Sequence, residues 1–187
     1  MTTNRHKIST PSLVIMALFT AVLCVSAYIS IPLPSGIHIT VLNFVILIIA
    51  LIFPLQQSVF IIAVWMVMGC IGLPVFAGGN VGLGYLLGPF GGYNLAFLLV
   101  GILLPLLCKH PYHRIYFTTA AVGAALLIDL CGSLWLMLST RITPTAAFLT
   151  GFLPFIPLDL VKAILAAQLV PQFHRVFPKG SLPFQIK

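Results

Sequence analysis

Leu153-Pro154-Phe155-Ile156-Pro157-Leu158-Asp159-Leu160-Val161-Lys162-Ala163 places a carboxylate and an ammonium inside a long apolar segment. The chain has only two acidic residues among 187, and Asp159 is one of them. Residues three apart share a helix face, so Asp159 and Lys162 project together. Insertion scales charge about 2.5–3.5 kcal/mol for such a residue near the bilayer centre, and those that persist there usually mark a substrate or ion pathway. The plainer alternative is an internal ion pair that ties two helices together.

Composition identifies the solvent this segment meets. The chain is 60% hydrophobic and 6% charged, with a mean hydropathy of +1.17; a soluble domain carries about 25% charged residues. This predicts a polytopic membrane protein, one integral membrane domain over 1–187, with no length left for a soluble one. The net charge of +7 is not a nucleic-acid footprint, because the basic residues are few and flank apolar stretches. Arg5-His6-Lys7 ahead of an apolar run is reminiscent of a secretory leader. The run from Leu13 to Ile31 is too long for one, and no small-x-small cleavage site precedes Ile31-Pro32-Leu33-Pro34, so it reads as a retained first helix. Cys24, Cys70, Cys108 and Cys131 are scattered without paired spacing, which suits small apolar fillers better than a metal site or disulfides.

Pro and Gly clusters divide the chain into six apolar stretches, at about 12–31, 39–53, 55–71, 91–108, 115–138 and 146–170. The expected fold is all-α with six transmembrane helices, although several stretches fall short of the roughly 20 residues a straight span needs. Arg5 and Lys7, then Lys109 and Arg114, then Arg175, Lys179 and Lys187 would share one side, and only Arg141 lies in a loop opposite. The positive-inside rule then places both termini in the cytoplasm.

The outward connections carry the unusual composition. The first is Ile31-Pro32-Leu33-Pro34-Ser35-Gly36. The second, over 72–90, is rich in Gly, Pro and aromatics and leads into Gly91-Gly92-Tyr93. It could fold over a pocket as a lid. It is neither a P-loop nor a dinucleotide fingerprint, since no Gly-Lys-Ser/Thr follows and no strand precedes it. Gly84, Gly88 and Gly92 are spaced by four, which alternatively suits close helix packing. Asn80 is the lone amide of that loop, a ligand donor and acceptor or simply a turn residue. Ala17 and Ala21 form a small-xxx-small pair on the first helix, for internal packing or for a partner. Asp129, in Leu127-Ile128-Asp129-Leu130-Cys131-Gly132, has no basic neighbour one turn away and suits polar packing or ligand contact.

These residues together resemble the BioY family, the biotin-specific S-components of energy-coupling-factor (ECF) vitamin transporters. The resemblance rests on Ile31-Pro32-Leu33-Pro34, Ile39-Thr40, Gly72-Leu73-Pro74-Val75-Phe76-Ala77-Gly78-Gly79, Leu86-Leu87-Gly88-Pro89-Phe90-Gly91-Gly92-Tyr93 and Leu153 through Lys162. It implies an ECF S-component-like fold in a bacterial plasma membrane, with biotin as the transported ligand and no enzymatic cofactor. It also implies a transmembrane T-component (EcfT) and two cytoplasmic ATPases (EcfA and its paralogue); the chain itself carries no nucleotide-binding motif. By matching position, Asn80, Asp159 and Lys162 are the expected polar ligand contacts, and Ala17 and Ala21 the face that docks the T-component. Phe76, Gly79, Tyr85, Phe90 and Tyr93 are expected around the ligand. The chain departs from the family pattern at Leu42 and Asn43, where Gln and Thr are usual, and at Val81 and Leu158, where Gly is usual. These departures keep lipoate and dethiobiotin open as ligands.

Biotin carries a urea-like ring with two N–H donors and one carbonyl, an apolar thioether ring, and a carboxylate on a flexible chain. Asp159 can accept from a ring N–H, Lys162 can donate to the carbonyl or the carboxylate, and Asn80 can do either. If unbroken helix led to it, Asp159 would lie about a dozen residues, or roughly 20 Å, from the outer side, though Pro154 and Pro157 should disturb that stretch. Two other classes remain: an intramembrane hydrolase with Asp129 and Asp159 as an acid–base dyad, and a purely structural subunit.

Overall fold

The computed structural model describes residues 10–32 and 38–176. Arg5, Lys7, Lys179, Lys187 and the Leu33-Pro34-Ser35-Gly36 part of the first connection lie outside the described residues, as does the side chain of Arg175.

Helices dominate: α1 (Thr10–Ser26), α2 (Leu42–Ile52), α3 (Leu55–Cys70), α4 (Gly82–Leu87), α5 (Gly91–Leu107), α6 (Arg114–Thr140), α7 (Pro144–Ala147) and α8 (Ile156–Val176). Two short strands, β1 (Ser30–Pro32) and β2 (His38–Thr40), pair antiparallel with Ile31 opposite Ile39. Arg114–Thr140 and Ile156–Phe173 are long and apolar enough to cross a membrane, while α1, α2, α3 and α5 are apolar but shorter.

The core forms around α2. Every α2 residue except Phe44 is buried, as expected of a helix that is apolar on all sides. The helices α1, α3, α5, α6 and α8 all pack against it. It stops at Phe53 because the following Pro54 pushes that residue to an extended backbone (ψ 146°). Glycines let the neighbours close in. A Cβ on Gly92 of α5 would lie 2.1 Å from the Trp135 side chain of α6, and one on Gly132 of α6 would lie 2.1 Å from the Tyr93 ring. Gly84, by contrast, faces open space, so the Gly84–Gly88–Gly92 spacing serves interhelical packing only at Gly92.

Several expected boundaries are corrected. The first helix ends at Ser26 instead of Ile31, where the Ser26 hydroxyl turns back to donate to the Leu23 carbonyl at 2.8 Å. The chain then turns and enters β1, in which Ile31 precedes Pro32 and so favours extended backbone. Ile39 belongs to β2, and the second helix begins only at Leu42. The last stretch is not one helix from Ala146 to Val170. Thr143 caps α7, its hydroxyl accepting from the Ala146 N–H at 3.3 Å. A π-helical turn follows at Phe148–Phe152, and α8 restarts at Ile156. Pro154 has no N–H to continue the ladder, whereas Pro157 sits in the first turn of α8, where none is needed.

Candidate functional site

That helix break positions the site. It puts Asp159 in the first turn of α8, where the positive end of the helix dipole favours a carboxylate, instead of a dozen residues into an unbroken helix. Asp159 is 3% exposed. Its Oδ1 accepts from Lys162 Nζ at 2.8 Å, and its Oδ2 accepts from the Asn43 amide nitrogen of α2. Lys162 Nζ also donates to the main-chain carbonyl of Thr40 at 2.8 Å and to Asn43 Oδ1 at 3.1 Å. All three ammonium protons therefore have an acceptor. The network ties α8 to the start of α2 and to β2, so the ion pair is structural as well as exposed to a cavity on one side.

That cavity lies between α2, α5, α6, α8 and the Gly-rich connection. Asp159, Asn43, Thr40, Leu42 and His38 form one side, Tyr93, Asn94, Phe97, Ile128 and Asp129 another, and Ala77, Tyr85, Phe90 and Phe155 complete the lining. A mostly apolar and aromatic wall with a few convergent polar groups is the usual composition of a small-molecule site. The Tyr93 hydroxyl donates to the Gly151 carbonyl of the π-helical turn, and its ring meets Phe155 at a centroid distance of 5.8 Å. Burial pushes the Tyr85 hydroxyl up to about 12, so this side chain stays protonated and neutral.

Of the residues singled out from sequence, Asp129, Asp159, Tyr85, Phe90 and Tyr93 meet at this cavity, with Lys162 holding Asp159. Phe76, Gly79 and Asn80 are not among the lining residues. Phe76 is fully buried behind Tyr85, stacked at 5.4 Å, and edge-on to Trp65 at 5.4 Å. Asn80 closes the turn, its side-chain amide donating to the Ala77 carbonyl at 2.7 Å and its own carbonyl accepting from the Phe76 N–H at 3.1 Å. Its φ is −68°, so the left-handed positions of that turn fall instead to Gly78 (φ 71°) and Gly79 (φ 78°). A Cβ on Gly78 would lie 2.7 Å from the His38 ring, and one on Gly79 would lie 3.3 Å from Tyr28.

The connection is pinned at both ends. The Gly78 N–H donates to the Ala27 carbonyl at 3.0 Å, and the Trp135 indole donates to the Gly88 carbonyl at 2.9 Å. Asn94, Thr40 and His38 are not anticipated at the site from sequence, and Asn43 stands out there only as a departure from the family pattern. Asn43 is the one polar side chain of α2, a signal comparable to that of Asp159. Ala17 and Ala21 lie far from this chemistry, on the exposed face of α1 with Val14, Leu18 and Val25, so they do not pack inside the bundle.

The sequence matches the BioY family over residues 1–179. Among similar proteins, the biotin transporter BioY2 of Lactococcus lactis is 33% identical over 159 residues, covering 82% of this chain and 85% of that protein. The probable biotin transporter BioY of Pyrococcus horikoshii is 32% identical, covering 81% and 89%. The biotin transporter BioY of Thermotoga maritima is 31% identical, covering 80% and 88%. The crystal structure of the S-component for biotin from an ECF-type ABC transporter superposes with a TM-score of 0.76 at 26% identity, over 94% of this chain and 95% of the other.

Proposed function

The chain belongs to the BioY family, and on that premise we propose that it is the biotin-binding S-component of an ECF-type transporter, mediating biotin uptake across the plasma membrane. The observation that carries this reading is the buried Asp159–Lys162–Asn43 network set against an aromatic cavity. The neutral but strongly hydrogen-bonding ureido ring suits the polar end of that cavity, and the aromatic lining suits the thioether ring. Asp159 accepts from one ureido N–H. Lys162 acts chiefly through Asp159, since its donors are already engaged. Asn80, Phe76 and Gly79 then support the site from the turn behind the lining. The family is one of transporters, which sets the hydrolase reading aside; the Asp129 carboxyl neighbours that of Asp159, which is tied to Lys162.

In the same reading, α1, α2, α3, α5, α6 and the α7–α8 segment are six spans of a single membrane domain with both termini cytoplasmic. The Gly-rich connection then caps an outward-facing pocket. The surface of α1 around Ala17 and Ala21 takes the transmembrane partner that couples the chain to cytoplasmic ATPases.

Retention of radiolabelled biotin by the purified chain tests the function. Stoichiometric retention, displaced by unlabelled biotin but not by an equal concentration of lipoate, is expected; retention of lipoate in preference would replace biotin as the ligand. Dethiobiotin keeps the ureido ring but lacks the thioether, and should displace biotin only at higher concentration.

The cap has its own test. Valine at Gly78 and Gly79 faces positive φ and, at Gly78, the His38 ring. The double variant is expected to insert normally while biotin association slows and dissociation quickens. Association and dissociation rates equal to the parent's would remove the lid role.

A further inference from the structure

Asp129 is 2% exposed, lines the same cavity as Asp159, and carries an Oδ2 with no hydrogen-bond partner. Buried polar atoms are nearly always paired, so each exception calls for an explanation. The two carboxylates are unequal. Both oxygens of Asp159 are engaged, by Lys162 and Asn43, while Asp129, which lines the cavity beside Asp159, has no donor to its Oδ2 among the described residues. Asp129 lies on α6 one turn before Gly132, whose missing side chain seats the Tyr93 ring, and the Tyr93 hydroxyl is fixed on Gly151. The Tyr93 hydroxyl is thereby turned away from Asp129, whose carboxyl group has that of Asp159 as its neighbour.

We infer that Asp129 contacts the ligand directly, its carboxyl group accepting a hydrogen bond from one of two ring N–H donors while Asp159 serves the other. This rests on the biotin reading above. It explains a buried carboxyl group whose Oδ2 no donor among the described residues reaches. It also makes Asp129 a specificity residue, because a ligand without the second N–H leaves that oxygen unpaired in a dry site.

The test is a cycle between protein and ligand variants, read as equilibrium binding to the purified chain. Asp129→Ala and Asp129→Leu should weaken biotin by about tenfold or more, as loss of an acceptor opposite a buried donor does. Asp129→Asn, which keeps one acceptor oxygen, should lie closer to the parent than either. Each of the two biotin analogues methylated on a single ureido nitrogen should bind the parent much more weakly than biotin does. For one of them that penalty should shrink to near parity with biotin in the Ala and Leu variants, while the other, methylated on the nitrogen that faces Asp159, keeps its penalty. Biotin affinities equal to the parent's in both deletion variants would overturn the assignment. So would equal losses for biotin and both analogues, the mark of a merely structural role. If the parent itself retains no biotin, the functional reading fails first, an outcome distinct from loss of Asp129's role alone.

Discussion

Alanine at Lys162 or at Asp159 is expected to weaken biotin binding by roughly 30-fold to several-thousand-fold, equivalent to about 2–5 kcal/mol for truncating one member of a buried, hydrogen-bonded charge pair. The two losses have different origins. Lys162→Ala removes the ammonium that pairs with Asp159 and leaves that carboxylate with the Asn43 amide as its donor among the described residues. It also frees the Thr40 carbonyl and Asn43 Oδ1, loosening the seam between α2 and α8. Asp159→Ala removes the proposed ligand acceptor but leaves Lys162 with two neutral acceptors and a side chain 17% exposed. Lys162→Ala should therefore reduce thermal stability in detergent more, while Asp159→Ala should reduce affinity with less change in stability. Equilibrium binding and thermal unfolding measured on the same preparations separate the two. Parental affinity in both variants would make the pair purely structural.

The second large effect is expected at a distance from the ligand. Ala17→Trp or Ala21→Trp should leave biotin binding by the isolated chain within about threefold of the parent, because neither residue reaches the cavity and surface substitutions are usually small in effect. Either should abolish co-purification with the transmembrane partner and reduce energised uptake by tenfold or more, since only small side chains let helices approach closely in a membrane. The exposure of both alanines on α1 is the basis for expecting binding to survive. Uptake and co-purification at parental levels would move the docking surface elsewhere.

Sequence alone led to Asp159 and Lys162 because charges in an apolar segment stand out on composition. It led to Tyr85, Phe90 and Tyr93 because aromatics cluster around the glycines. Asn43 escaped because its role depends on Asp159, 116 residues away in sequence, and only packing reveals the pair. The departures from the family pattern sort the same way. Leu42 and Asn43 line the cavity, whereas Val81 is 47% and Leu158 44% exposed, so only the first two are placed to bear on the proposed ligand contacts. The end of α1 was misread because an apolar run shows no boundary between helix, turn and strand. The break before α8 was signalled by Pro154 and Pro157, but the π-helical turn that delivers Asp159 to a helix start follows from packing, with Tyr93 bonded to Gly151.

The most direct test of the central claim is the structure of the purified chain with biotin bound. The ureido ring should lie within hydrogen-bond distance of Asp159 Oδ1 or Oδ2, with Tyr85, Phe90 and Tyr93 around the fused rings and the carboxylate tail toward the Gly-rich connection. Biotin bound outside this cavity, or with its carboxylate instead of its ureido ring against Asp159 and Lys162, would contradict it.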